Sequence, residues 1–192
     1  MLRLALIPLL LSFAPVLYAA ELEAFVRVVP DRLITPEVKQ IAVVRAGEPG
    51  PADPKYVPLA RQTDLKRSIA VESGKAVDLW LIPKVGDPLR ISSNVKVEAG
   101  RTEDVKLSYT FGILTVRGDD LPRLGKIVVT AEGDPGPDEK GHRRVQFAED
   151  YKTEMILPAG TYRIWIVPHN GARATKIDDT VRILAGRTAT VD

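Results

Sequence analysis

The stretch Leu157-Pro158-Ala159-Gly160-Thr161-Tyr162-Arg163-Ile164-Trp165-Ile166-Val167-Pro168 decides how this chain is read. Pro-Ala-Gly marks a tight turn, because proline presets one backbone angle and glycine accepts angles that other residues avoid. The β-branched and aromatic residues that follow have the composition of a strand. Pro168 closes it, since proline brings no N–H to a ladder. Strand side chains point alternately to opposite faces. Tyr162, Ile164 and Ile166 therefore share an apolar face assigned to the core, while Arg163, Trp165 and Val167 share the other. A second copy lies upstream, Val71-Glu72-Ser73-Gly74-Lys75-Ala76-Val77-Asp78-Leu79-Trp80-Leu81-Ile82-Pro83. Its core face is Val77, Leu79 and Leu81, and its outer face is Asp78, Trp80 and Ile82. A charge two places before each Trp implies an outer face that reaches solvent at one end. The indoles then lie on that face, or at a rim where a loop covers them.

The duplication extends along the chain. At a shift of about 86 residues Phe25 meets Phe111, Pro36 meets Pro122, and Ile41-Ala42-Val43-Val44 meets Ile127-Val128-Val129-Thr130. Gly47-Glu48-Pro49-Gly50-Pro51 meets Gly133-Asp134-Pro135-Gly136-Pro137. Asp64 and Lys66 meet Asp150 and Lys152, and Gly74 meets Gly160. The Trp strands slip by one place, pairing Trp80 with Trp165, and register returns at Ala99-Gly100-Arg101-Thr102 and Ala185-Gly186-Arg187-Thr188. Such a period exceeds that of solenoid repeats, about 20–50 residues, and suits a whole small domain. The expected organisation is a leader over residues 1–19, one domain over 20–107 and a second over 108–192. No Gly- or Pro-rich spacer separates the two, so they are expected to touch.

Each unit is expected to be all-β. The second offers strands at Thr110–Val116, Lys126–Ala131, Arg143–Ala148, Lys152–Leu157, Thr161–Val167, Val181–Leu184 and Thr188–Val191. The first offers Glu23–Val29, Gln40–Arg45, Tyr56–Ala60, Lys66–Val71, Ala76–Ile82, Asn94–Glu98 and Glu103–Leu107. About seven short strands with turn signals between them is the pattern of a sandwich. The fold expected is thus two tandem seven-stranded β-sandwich domains. The run from Pro158-Ala159-Gly160-Thr161-Tyr162 through Val181-Arg182-Ile183-Leu184-Ala185-Gly186-Arg187-Thr188-Ala189-Thr190-Val191 resembles the C-terminal half of carboxypeptidase-regulatory-like, or prealbumin-like, modules. The first unit departs from that pattern with Ser73-Gly74-Lys75-Ala76. The resemblance implies a two-sheet fold and no catalytic residues.

Bulk composition narrows the function classes. With 45% hydrophobic residues the chain can bury a core. Its net charge of +2 comes from many charges of both signs, which is no footprint for nucleic acid. Arg3, the apolar run Leu4 to Leu17 and the small residues Ala19-Ala20 have the layout of a secretory signal peptide, with cleavage expected after Ala19. Pro8 and Pro15 interrupt the run, which is short for a membrane span. No later apolar run is long enough to cross a bilayer. The expected location is periplasmic or secreted. There is no cysteine, so lipidation at a cysteine, disulfides and thiol nucleophiles are excluded.

Chemistry-bearing residues are sparse. A serine-hydrolase triad needs a Ser, a His and an acid brought together, but the two histidines, His142 and His169, lie in expected turns and no Gly-x-Ser-x-Gly elbow occurs. Asp134, Asp138 and Glu139, and Asp178 with Asp179, are the acids that calcium would need, in neither an EF-hand nor a nonapeptide pattern. Neither a metal nor a cofactor is expected. The candidate ligand-binding residues are Trp80, Trp165 and Arg163, because exposed aromatics beside charge stack on sugar rings or anchor a protein partner. The function expected is a non-enzymatic binding or structural module that contacts a protein or a cell-envelope component. The alternatives are a carbohydrate-binding protein using its tryptophans, and a small secreted hydrolase.

Overall fold

The computed structural model describes residues 23–117, 125–149 and 153–192. The segment expected as a leader, residues 1–19, lies outside them, as do the pairings that involve Pro122, Asp150 and Lys152. The described residues form an all-β molecule of sandwich character with fourteen strands and two short 3-10 turns, Thr35–Glu37 and Leu107–Tyr109. The first half contributes β1 (Ala24–Val29), β2 (Val38–Arg45), β3 (Ala60–Gln62), β4 (Ile69–Val71), β5 (Ala76–Pro83), β6 (Leu89–Lys96) and β7 (Thr102–Lys106). The second contributes β8 (Phe111–Val116), β9 (Gly125–Ala131), β10 (Arg144–Ala148), β11 (Glu154–Pro158), β12 (Gly160–Pro168), β13 (Thr175–Ile183) and β14 (Thr188–Val191).

Each half pairs its strands into one three-stranded and one four-stranded sheet. The orders are β4-β1-β7 with β3-β2-β5-β6, and β11-β8-β14 with β10-β9-β12-β13. Counted from the start of each half, the two orders correspond strand for strand. β1 with β7 and β8 with β14 are parallel pairs; the other pairs are antiparallel. Alternation fills the space between the sheets. Val77, Leu79 and Leu81 meet Ile41, Val43, Val26 and Val28 in the first core. Tyr162 and Ile164 meet Ile127, Val129, Leu114 and Val116 in the second.

Three expectations change. The segment expected as a strand at Tyr56–Ala60 is loop, and β3 starts only at Ala60. Pro58 stands between Val57 and Leu59 and withholds the N–H that pairing would need. The strands expected at Asn94–Glu98 and Val181–Leu184 are β6 and β13, which begin at Leu89 and Thr175. Their polar runs, such as Ser92-Ser93-Asn94, hid them, since edge strands owe their pairing to the neighbour more than to their own propensity. Finally, Asp78 is only 2% exposed, so the outer face of β5 does not reach solvent there.

The halves pack on each other. All six residues of β8 are buried, as for a strand covered on both faces. Leu114 and Val116, with Met155 and Leu157 of β11, face the second core. Phe111, Ile113 and Ile156 point the other way and join the apolar cluster of the first half. The corresponding face of β1 carries Phe25, Arg27 and Val29. There the Arg27 guanidinium donates to both Asp104 oxygens at 2.8 and 2.7 Å, in the open. These hydrogen bonds hold the Asp104 carboxyl below its ordinary range.

A second contact locks the joint. The β5–β6 turn places Gly86 and Asp87 on β10. Buried Gln146 donates from Nε2 to the Asp87 carbonyl at 3.1 Å, and its Oε1 accepts from the Asp87 N–H at 2.5 Å. The amide thus pairs with this backbone as a strand neighbour would. Gly86, at φ 93°, lies so close to the Gln146 amide that a Cβ has no room. Arg144 grips the Asp87 carboxylate through two further bonds, at 2.8 and 3.1 Å.

Candidate functional site

Trp80 and Trp165 occupy matching places on the outer faces of the four-stranded sheets, and both are half-buried. Trp80 lies beside Ala42 on β2, and Trp165 beside Val128 on β9. What buries them is the repeated Gly-acid-Pro-Gly-Pro loop. Its first glycine, Gly47 or Gly133, adopts φ 82° or 87°, an angle that suits glycine, and so turns the chain back over the sheet. Its second glycine, Gly50 or Gly136, rests on the indole. A Cβ at Gly136 would stand 2.8 Å from Cη2 and 3.1 Å from Cζ2 of Trp165, and a Cβ at Gly50 would likewise collide with Trp80. The prolines hold the loop in that shape. Loop and indole together form a third layer over the outer sheet face, which explains why Ala42, Val44, Val128 and Thr130 are buried although they point away from the core.

The two copies differ in their polar details. Trp165 Nε1 donates to Thr130 Oγ1 at 3.1 Å. Position 44, the counterpart of Thr130, is a valine, and Trp80 Nε1 is buried without an acceptor among the described residues. Cations cover the indoles from the edge strands. The Arg90 guanidinium lies 4.8 Å from the Trp80 ring centre, and Lys176 Nζ lies 5.8 Å from that of Trp165. Lys176 is drawn to Asp179 at 2.5 Å.

Arg163 and Asp78 are the third matching pair, of opposite charge. Asp78 accepts from the Asn94 N–H at 2.9 Å and from the Gly47 N–H at 3.4 Å. It thereby ties the bulged edge strand β6, where Asn94 has φ 55°, to the turn after β2. Arg163 donates to the Asp134 carbonyl at 3.2 Å, and its Nε is 3.9 Å from Asp179 on β13. It ties the edge strand of the second half to the turn after β9. The charge inverts because the acid accepts from N–H groups whereas the guanidinium donates to a carbonyl, with a carboxylate 3.9 Å from its Nε.

Several of the remaining sequence candidates have local partners. Asp138 accepts from the Ala174 N–H at 2.6 Å and Asp178 from that of Thr180 at 3.0 Å. His142 Nδ1 lies 3.4 Å from the Pro135 carbonyl, and His169 is exposed in the turn after β12. Among the described residues no three His, Asp or Glu side chains are grouped to hold a metal ion. No helix there is long and apolar enough to cross a membrane. Tyr162 donates to the Pro158 carbonyl at 2.8 Å, and burial pushes its phenol pKa up.

Two surface grooves stand out. One, in the first half, is lined by Arg45, Leu59, Glu72, Lys75 and Val77. Exposed Leu59 sits on it, with exposed Val57 two residues before, and these two residues had no place among the sequence candidates. The other lies beside Trp165, walled by Gly136 to Glu139 on one side and by Arg173 and Ala174 on the other. Of the three sequence candidates, Trp165 alone borders either of these grooves.

No family model matches the chain, and no curated protein matches it. Two solved chains do. One is that of the Bacillus anthracis TIE protein, 12% identical, with 88% of this chain and 32% of that chain covered and a TM-score of 0.28. This chain spans about a third of that one, and likeness at this level carries neither a fold assignment nor a function.

Proposed function

We propose that the chain is an exported module, periplasmic or secreted, that acts without catalysis by presenting rigid surfaces to a protein partner or cell-envelope component. The observation that carries this reading is Leu59, 50% exposed at a groove rimmed by Arg45, Glu72 and Lys75, with Val57, 76% exposed, two residues before it. An apolar centre with a charged rim is the anatomy of a protein contact. The locked joint at Gln146 supports it, since a surface held in its bound shape loses little entropy on association. Residues 1–19 supply the export signal. The resemblance of residues 158–191 to prealbumin-like modules, which are mostly non-catalytic appendages or surface building blocks, is in line with that reading.

A photo-crosslinking amino acid in place of Leu59, in cells that make the protein natively, tests this. Light-dependent adducts are expected from position 59 and not from exposed Arg182 on β13. Adducts from both positions, or from neither, refute the contact surface. The mature protein is expected in the periplasmic or culture fraction with Ala20 at its N-terminus; an intact leader in the cytoplasm refutes export.

A further inference from the structure

We propose that the groove beside Trp165 is a carbohydrate site, independent of the protein contact at Leu59. Its floor is an indole locked by the bond from Nε1 to Thr130. Its walls are fixed as well. Asp138, from the loop after β9, accepts from Ala174, in the turn before β13, and so staples one wall to the other at 2.6 Å. A site that is already shaped costs little to order when a ligand arrives.

The polar groups on the rim define the ligand class. Glu139 and Arg173 are both exposed, and neither enters an ion pair among the described residues. A simple anion meets Asp138 and Glu139, and a simple cation meets Arg173. A ring of hydroxyls suits both rims, because each hydroxyl can donate to a carboxylate and accept from a guanidinium. The C–H face of a pyranose then lies against the indole, whose π-face is electron-rich. Few convergent polar groups beside an aromatic wall is the usual make-up of a small-molecule site.

The first half shows why such a groove is particular to the second. The counterpart of the Arg173 turn is the β5–β6 turn, and Gln146 and Arg144 hold it in the joint between the halves. The Trp80 ring is also covered at 4.8 Å by the Arg90 guanidinium. Trp165 has only an ammonium at 5.8 Å, paired with Asp179.

Isothermal titration of the full mature protein with maltotriose, cellotriose and chitotriose tests the site. At least one trisaccharide is expected to bind saturably. Arg173→Ala and Glu139→Gln, both at exposed positions, are each expected to weaken binding about tenfold while leaving the melting curve unchanged. Trp80→Phe is expected to bind as the parent does, and in that variant the ligand should quench the fluorescence of Trp165. Co-sedimentation with insoluble cellulose and chitin distinguishes a polymer chain from a free oligosaccharide as the source. Absence of saturable binding up to about 10 mM of all three sugars, or binding indifferent to both rim substitutions, overturns the proposal. So does binding abolished by Trp80→Phe. Crosslinking at Leu59 stands or falls separately.

Discussion

Gly136→Ala probes the third layer most directly. The added methyl would stand 2.8, 3.1 and 3.2 Å from Cη2, Cζ2 and Cζ3 of Trp165, inside ordinary carbon–carbon contact. The ring has little freedom to retreat, since Nε1 is bonded to Thr130 and the indole lies against β9. Overpacking of this kind costs about 1–3 kcal/mol. Against it stands a gain of about 0.4–1 kcal/mol, because alanine restricts the unfolded chain. The middle of each range gives a net loss of about 1.3 kcal/mol, lowering Tm by about 3–5 °C at this chain length. Urea unfolding followed by far-UV circular dichroism measures it, in the parent and in a Trp165→Phe background. If the clash with the indole is the cause, the smaller ring removes most of the cost, and the double-mutant cycle returns a coupling energy of about 1 kcal/mol. Gly133→Ala is the control. Its Cβ meets nothing, but φ is 87°, so its cost comes from backbone strain and should persist beside Phe. A Gly136→Ala protein as stable as the parent, or a loss undiminished by Trp165→Phe, would refute the account of the loop.

Gln146→Ala leaves the N–H and carbonyl of Asp87 without their partners and should cost about 2–6 kcal/mol, from about 1–3 for each group stranded. Fluorescence of the two single-tryptophan variants should then show the halves unfolding at separate denaturant concentrations, whereas coincident curves would mean the joint holds without it. Val44→Thr gives buried Trp80 Nε1 the acceptor that Trp165 already has. A hydroxyl placed in a core ordinarily destabilises, so a calorimetric Tm equal to or above the parent's is the expected result, and a drop of several degrees speaks against it. For Tyr162 the folded pKa lies above the unfolded value near 10.0. The linked stability is therefore complete below that pH and is lost as pH rises through the folded pKa. Tyr162→Phe should flatten the alkaline fall in stability while losing the bond to Pro158 at all pH values; an unchanged alkaline slope in pH-dependent urea melts contradicts this.

Much of the architecture was legible because core strands advertise themselves. Tyr162, Ile164 and Ile166 alternate cleanly, and all three are buried as read. The edge strands β6 and β13 were cut short because their residues answer to a paired neighbour and to solvent, leaving runs such as Lys176-Ile177-Asp178-Asp179 without periodicity. Gly-acid-Pro-Gly-Pro was visible as a repeated motif, but its purpose was not. Only the folded chain brings Gly136 onto an indole 29 positions away in sequence (136 to 165). The charge of Asp78, taken as a sign that its face reaches solvent, misled for a related reason. Residue type alone does not reveal whether a side chain grips backbone N–H groups or carbonyls. Gln146 gave no signal at all, since a lone glutamine in a strand is unremarkable until Asp87 arrives from the other half. Val57 and Leu59 were hidden as well, because alternation across Pro58 imitates a strand that the proline forbids.

The ion pair of Arg27 and Asp104 has one further consequence. It sits at the centre of a sheet face whose counterpart, around Ile113 and Ile156, is sealed beneath the first half. Any body that sat down on the β1 face in the same manner would have to strip water from two charges, and desolvation of that kind can exceed what the pair returns. Exposed, the pair contributes little to stability. Its effect is on association, since it lets one such face seek company and keeps the other at home in water. Exchanging the two for apolar residues of similar size would turn a solvated face into an adhesive one, and concentration-dependent self-assembly of an otherwise well-folded chain would be the outcome to watch for.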